Sequence, residues 1–276
     1  MIQDIAPHRL ENQFDSTAKV RTEDRIVCAR GMELLVKIQS EALFPTFGQC
    51  TELKEEDVLF LFRVDGIRFF LLNSTKVMKL EGYEFVNVRE LREKNQIPRH
   101  LAFAANTAKH LADWYRDNRY CGRCAKAMKP GEKERSLICS SCGYTVYPRI
   151  MPAVIVGVRN GEKLLITRYR VGYRHNALIA GFTEIGETVE ETVQREVMEE
   201  AGIRVKNITY YKSQPWGMAN DLLLGFFCDL DGDDTIRMDG EELSYAEWVR
   251  REEIEQQPDD YSLTNEMMKM FKEGKM

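Results

Sequence analysis

The chain has 276 residues, 43% hydrophobic and 30% charged, which gives it the composition of a globular protein with apolar mass for more than one core. No apolar run approaches a membrane span, and the first residues, MIQDIAPHRLENQFDS, lack the basic-then-apolar order of a signal peptide, so a cytoplasmic location and no membrane partner are expected. A net charge of −5 excludes a global field for nucleic acid, although residues 116–149 set Arg116, Arg119, Arg123, Lys126, Lys129, Lys133, Arg135 and Arg149 against only Asp117, Glu132 and Glu134.

In chain order, Arg25–Arg30 and Glu33–Ile38 read as strands around Gly31, and Val58–Val64 and Ile67–Leu72 flank Asp65-Gly66, a two-residue hairpin signal. After Pro98, apolar residues at helical spacing run from Leu101 to Tyr115. Beyond Pro148, Ala153–Val158 and Lys163–Arg168 read as strands joined by Asn160-Gly161. A helix is expected near 189–201, then strands near Asn207–Lys212, Leu222–Asp229 and Tyr245–Val249, and a last helix near Leu263–Lys272. Strands on both sides of a central helix imply a mixed α+β sandwich rather than an alternating parallel sheet. The expected domains are a β-rich N-terminal domain over 1–115, a cysteine-bearing insert over 116–147 and a second α+β domain over 148–276.

Seven cysteines divide into a cluster and three scattered residues, Cys28, Cys50 and Cys228, which read as core thiols of a reducing compartment. Cys121-x2-Cys124, fourteen residues, then Cys139-x2-Cys142 is the spacing of a four-thiolate Zn²⁺ site. Each pair forms a knuckle offering two thiolates to one tetrahedral ion. A redox pair needs only one such knuckle, and four protein ligands close the coordination sphere, so the zinc is expected to be structural.

The segment Gly181–Ile203, GFTEIGETVEETVQREVMEEAGI, leads a glycine-punctuated loop into a helix, with Thr188 and Glu191 at capping-box spacing and Gly202 placed to end it. On that helix Glu196, Glu199 and Glu200 fall within an arc of about 100°. Glu196 and Glu200 are like charges at i,i+4, a pairing that costs an isolated helix roughly 0.2–0.5 kcal/mol. A solvated face would mix signs. Clustered carboxylates beside a glycine loop suit a hard divalent cation bridging them to phosphate oxygens, with Arg195 placed to pin a carboxylate or meet phosphate charge.

Gly181, five residues, Glu187, seven residues, then Arg195-Glu196-Val197-Met198-Glu199-Glu200-Ala201-Gly202-Ile203 resembles the Nudix box at every fixed position. The resemblance implies a Nudix αβα sandwich, Mg²⁺ or Mn²⁺ held by Glu196, Glu199 and Glu200, and hydrolysis of a pyrophosphate bond, with Glu200 favoured as base and Arg195 among the catalytic residues. A four-cysteine ribbon directly before the domain, Trp114-Tyr115-Arg116, Tyr147-Pro148-Arg149-Ile150-Met151-Pro152 and Ser213-Gln214-Pro215-Trp216 narrow the resemblance to the NADH pyrophosphatase and NAD-capped RNA hydrolase family. It covers the chain from about residue 100 onward, and the first domain is expected to be Nudix-like.

That likeness implies a homodimer, with Phe182 and Tyr147 sandwiching the adenine and Tyr147 supplied across the dimer. It further implies a metal role for Glu242 (or its neighbour Glu241), and Ser213, Gln214, Trp216 and Thr264 as substrate-binding residues. The expected reaction splits NADH or NAD⁺ into nicotinamide mononucleotide and AMP, with the 5′ end of NAD-capped RNA as a further substrate. Two departures bear on selectivity. Trp216 is followed by Gly217-Met218-Ala219-Asn220-Asp221 where the family has a proline- and phenylalanine-rich element, and Thr264 replaces an alanine. A broader dinucleotide pyrophosphatase acting on ADP-ribose or diadenosine polyphosphates, and a non-catalytic zinc-ribbon nucleotide- or nucleic-acid-binding protein, remain as alternatives.

Overall fold

A computed structural model describes residues 1–276 apart from 40, 41, 75, 77, 94–96, 173 and 239. The fold is mixed α+β, and its contacts divide it into two compact units: 3–149 with 216–220, and 1–2 with 150–215 and 221–276. Among the described residues no helix is long and apolar enough to cross a membrane.

The first unit begins with short strands β1 (Leu10–Glu11), β2 (Arg25–Val27), β3 (Ala29–Arg30), β4 (Glu33–Ile38) and β5 (Ala42–Leu43). It continues through β6 (Val58–Val64), β7 (Ile67–Leu72), β8 (Glu84–Asn87), α1 (Val88–Glu93) and α2 (Arg99–Asp117). One sheet has the order β1-β6-β7-β2, and a second is built on β4 with β3, β5 and β8 as partners. Asp65 and Gly66 both take positive φ (50° and 81°), the geometry that a two-residue turn between twisted strands requires. Arg25–Arg30, expected as one strand, breaks at Cys28 into β2 and β3, which join different sheets. The core holds Ile26, Leu61, Phe62, Phe69 and Phe70.

Helix α2 buries Ala104, Ala105, Ala108, Leu111, Ala112 and Tyr115, the stripe expected from its spacing. After it come β9 (Met128–Pro130), β10 (Leu137–Cys139) and β11 (Thr145–Val146), a small antiparallel sheet of order β11-β10-β9 that carries the cysteine knuckles.

The second unit contains β12 (Met151–Asn160), β13 (Lys163–Tyr169), β14 (Ile179–Phe182), α3 (Val189–Ala201), β15 (Val205–Trp216), β16 (Asp221–Leu230), β17 (Leu243–Arg250) and α4 (Leu263–Lys272). Its sheet runs β15-β16-β12-β13-β17, with β14 paired to β12. β12 and β16 are parallel over nine residue pairs, Met151↔Asp221 to Arg159↔Asp229. Val154, Val156, Val158, Phe226 and Cys228 point to one face, where Val193, Val197 and Ala201 of α3 cover them. Neighbouring residues point the other way: an added Cβ on Gly225 would meet Met267 Sδ at 2.9 Å and Leu263 Cδ2 at 3.2 Å, so α4 lies on the opposite face. The result is an αβα sandwich. The three scattered cysteines are free and buried, and burial pushes the Cys28 and Cys228 thiols up to about 12 and Cys50 to about 11, which suits inert core residues.

Candidate active site and zinc centre

Helix α3 starts where the capping box places it: Glu191 N–H donates to Thr188 Oγ1 (3.2 Å) and Thr188 N–H to Glu191 Oε2 (2.8 Å). It ends at Gly202, in the left-handed region at φ 68°. Because Val193, Val197 and Ala201 face the sheet, the adjoining positions Glu196 and Glu200 are drawn to the helix edge nearest β14. They are only 9% and 2% exposed, whereas Glu199 is exposed.

Gly181 on β14 makes this possible, since a Cβ there would lie 2.0 and 2.3 Å from the two Glu196 carboxylate oxygens. Arg195 ties the group together. Its Nη1 donates to Glu196 Oε1 (2.7 Å) and Glu199 Oε2 (3.0 Å), its Nη2 to the Phe182 carbonyl (2.8 Å), and its Nε and Nη2 to the two oxygens of Glu187 (2.6 and 2.9 Å). The guanidinium thus pins carboxylates, one of the two uses its position allowed.

The electrostatics show which charges share the site. Burial raises the Glu196 carboxyl above its ordinary range, Arg195 pulls it down, and Glu199 and Glu242 push it up again. Burial, followed by the charges of Glu200, Glu242 and Glu196, drives the Tyr169 hydroxyl far above its usual range. Glu242, just before β17, therefore stands close enough to feel Glu196. Arg170 N–H donates to its carbonyl (2.9 Å), which fixes the segment against β13.

Buried, mutually repelling carboxylates suit a divalent cation, and the donor set fits an oxygen-seeking ion. Among the described residues, however, their oxygens do not converge within one coordination sphere as the cysteine sulfurs do. Glu196 and Glu199 each give an oxygen to Arg195 instead.

The four cysteine sulfurs lie within 4.8 Å of one another, with 3.6 Å for Cys121–Cys142, 3.5 Å for Cys124–Cys139 and 3.6 Å for Cys124–Cys142. A tetrahedral ion with Zn–S bonds of about 2.3 Å sets its sulfurs about 3.8 Å apart, so the cage fits Zn²⁺. The Cys142 backbone N–H is the main cause that lowers the Cys139 thiol to about 6, toward the thiolate a metal binds. Gly143 takes φ 72° at the second knuckle.

The expected substrate residues are placed unevenly. Phe182 ends β14 with its ring 50% exposed. Tyr147, in the first unit, is 54% exposed and donates its hydroxyl to Glu134 Oε1 (2.8 Å). Ser213 and Trp216 are half-buried on β15, and Thr264 is half-buried on the first turn of α4. Gln214, expected to line the substrate, is wholly buried: its Nε2 donates to the Tyr261 carbonyl (2.7 Å) and its Oε1 accepts from Leu263 N–H (2.7 Å). Strand alternation turns it inward, where it bridges β15 to the start of α4 as part of the frame.

Residues 149–271 match the NUDIX domain family, and residues 116–147 match the NADH pyrophosphatase zinc ribbon domain. Residues 149–271 are thus similar to a Nudix domain. The NAD-capped RNA hydrolase NudC of Enterobacter sp. (strain 638) is 42% identical over 146 residues, 52% of this chain and 56% of that protein. NudC of Shigella dysenteriae serotype 1 is 41% identical over 157 residues, 56% of this chain and 60% of that protein. The matches thus span little more than half the length of these curated relatives. A NUDIX hydrolase from Nitrosomonas europaea is 21% identical, at a TM-score of 0.49 over 56% of this chain and 90% of that one.

The part played by Glu187, and the presence of Tyr169 beside the carboxylates, emerge only in three dimensions. Glu187 holds Arg195 by both oxygens and also accepts from Glu184 N–H (3.1 Å) and Thr192 Oγ1 (3.0 Å), which keeps its carboxyl near 2. Its place in the motif is visible in the sequence, but it precedes the helix, so helix geometry does not foretell its pairing with Arg195. Tyr169 ends a strand and looks in sequence like any packed aromatic.

Proposed function

We propose that this protein is a divalent-metal-dependent pyrophosphohydrolase that splits NADH or NAD⁺ into nicotinamide mononucleotide and AMP, and that NAD-capped RNA presents the same bond to the same site. The carrying observation is the carboxylate group on α3: Glu196 and Glu200 buried at the helix edge, with Glu196 seated against a glycine and held by a clamped arginine. The zinc ribbon type and the names of the relatives supply the substrate class.

In this reading Glu196, Glu199, Glu200 and Glu242 hold Mg²⁺ or Mn²⁺, which when bound offsets phosphate charge and acidifies an attacking water. Glu200, the most buried carboxylate of the group, takes the proton of that water. Arg195 keeps Glu196 and Glu199 oriented. The exposed Phe182 ring offers a stacking face to the adenine, and Tyr147 offers a second, from the other copy of a homodimer. Ser213, Trp216 and Thr264 contact the remainder of the substrate. The zinc held by the four cysteines is structural, and the free thiols suit a cytoplasmic setting.

The test is turnover with Mg²⁺ or Mn²⁺ on NADH, NAD⁺, ADP-ribose and NAD-capped RNA, beside Glu200→Gln. The wild type should cut NADH, and the variant should lose about 10²–10⁴-fold, the usual worth of a general base. A wild type as inert as the variant on all four, yet binding nucleotide, would make the chain a sensor. ADP-ribose cut far faster than NADH would make it a broader pyrophosphatase.

A further inference from the structure

The turn after Trp216, where Gly217-Met218-Ala219-Asn220 stands in place of stiff proline-containing chain, is anchored from one face of α2. Asn106, Lys109, His110 and Asp113 are spaced i, i+3, i+4 and i+7, so they share that face. The Lys109 ammonium, its side chain 5% exposed, donates to the Met218 carbonyl (2.8 Å) and the Gly217 carbonyl (3.2 Å), and reaches Asn220 Oδ1 at 3.4 Å. Its third strong partner is Asp113 Oδ2 at 2.8 Å, and Asp113 Oδ1 is met by Arg116 Nη1 at 2.8 Å. Gly217 lies flat on the helix: a Cβ there would stand 2.2 Å from the Asn106 carbonyl oxygen and 3.4 Å from His110 Cβ.

A lysine at this depth is costly unless every proton is used, and a leucine or methionine would fill the same space without that cost. What the lysine adds is two backbone carbonyls of the turn held at a defined position. We infer that Lys109, braced by Asp113, is a positioning residue: it fixes the Gly217–Asn220 turn and, through it, Trp216, and so sets selectivity for what the substrate carries beyond its AMP half. The selectivity half of this inference rests on the proposed pyrophosphatase function. The anchoring half does not. Hydrogen bonds from one buried cation thereby supply the order that proline supplies through its ring.

The test combines hydrogen exchange over residues 214–222 with kinetics on NADH and ADP-ribose, in Lys109→Met, in Lys109→Met/Asp113→Leu and in Gly217→Ala. The double variant leaves no unpaired buried charge, and Gly217→Ala moves the turn without touching the ion pair, so a misfolded Lys109→Met does not end the test. Exchange in the turn should rise about tenfold or more as its anchors are lost. KM for NADH should rise about tenfold with kcat within twofold, while both constants for ADP-ribose stay within twofold, since removal of a positioning contact to one part of a substrate falls on its binding. Unchanged exchange in every folded variant would overturn the anchoring. Faster exchange with an unchanged NADH to ADP-ribose ratio would overturn the role in selectivity. A wild type inert on both substrates would refute the pyrophosphatase function and its selectivity corollary, while the exchange data would still decide the anchoring.

Discussion

Gly181→Ala is the most informative single change. Gly181 of β14 pairs with Val154 of β12 and is not among the glycines of positive φ, so alanine fits its backbone. The added Cβ would stand 1.9 Å from the Glu196 carboxyl carbon and 2.0 and 2.3 Å from its oxygens. Carbon and oxygen atoms rest at about 3.4 Å or more, so the carboxylate must retreat by about 1–1.5 Å. The helix cannot follow, because Val193 and Val197 on its inner face are fully buried against the sheet. The side chain therefore leaves its rotamer and Arg195 Nη1. Overpacking of this kind, with one hydrogen bond to Arg195 lost, should lower stability by about 1–3 kcal/mol. A shift of about 1 Å in a group that orients reacting atoms costs about 10²-fold in rate. The assay is kcat/KM on NADH with saturating Mn²⁺, beside Mn²⁺ affinity and a thermal melt. Activity within threefold of wild type, at unchanged Mn²⁺ affinity, would remove Glu196 from the machinery and refute the reasoning.

Arg195→Lys keeps the charge but not the fork that reaches Glu187, Glu196, Glu199 and the Phe182 carbonyl together. It should lower unfolding free energy by roughly 1–3 kcal/mol in denaturant titration and reduce turnover at least about tenfold. Glu187 is held near 2 by Arg195, below its unfolded value, so its contribution to stability is complete above about 4.3 and is lost as pH falls through the folded value. Glu187→Gln should accordingly melt below wild type at pH 7, with the gap narrowing toward pH 2–3; a gap that widened in acid would contradict the clamp. Purified protein should contain about one Zn²⁺ per chain, and stripping it should abolish protease resistance across 121–142. If stripped protein keeps that resistance, the thiol cage stands without metal.

Much of the site is legible in the sequence because local rules determine it. The capping box at Thr188, the stop at Gly202 and the face shared by Glu196, Glu199 and Glu200 follow from helix geometry alone. The same holds for the turn at Asp65-Gly66, where both residues take the needed positive φ; after β12 the turn falls one residue later than expected, on Gly161-Glu162, because Asn160 still pairs with Lys163. What escapes a sequence reading depends on tertiary partners. β14 is four residues, Ile179–Phe182, with no alternation to announce it, and it is a strand because β12 pairs with it. β15, expected over Asn207–Lys212, runs from Val205 to Trp216, so Gln214 falls on an inward position that a motif comparison cannot see. Lys109 shares a helix face with Asn106, His110 and Asp113, and only the turn across from it explains its burial.

The central claim concerns which bond breaks, and product analysis of NADH hydrolysis in ¹⁸O-water with and without Mn²⁺ tests it most directly. The account predicts AMP and reduced nicotinamide mononucleotide in equal amounts, one phosphate of the pair carrying a single ¹⁸O, and no products when metal is withheld. Release of nicotinamide with ADP-ribose, or the same turnover without metal, would contradict it.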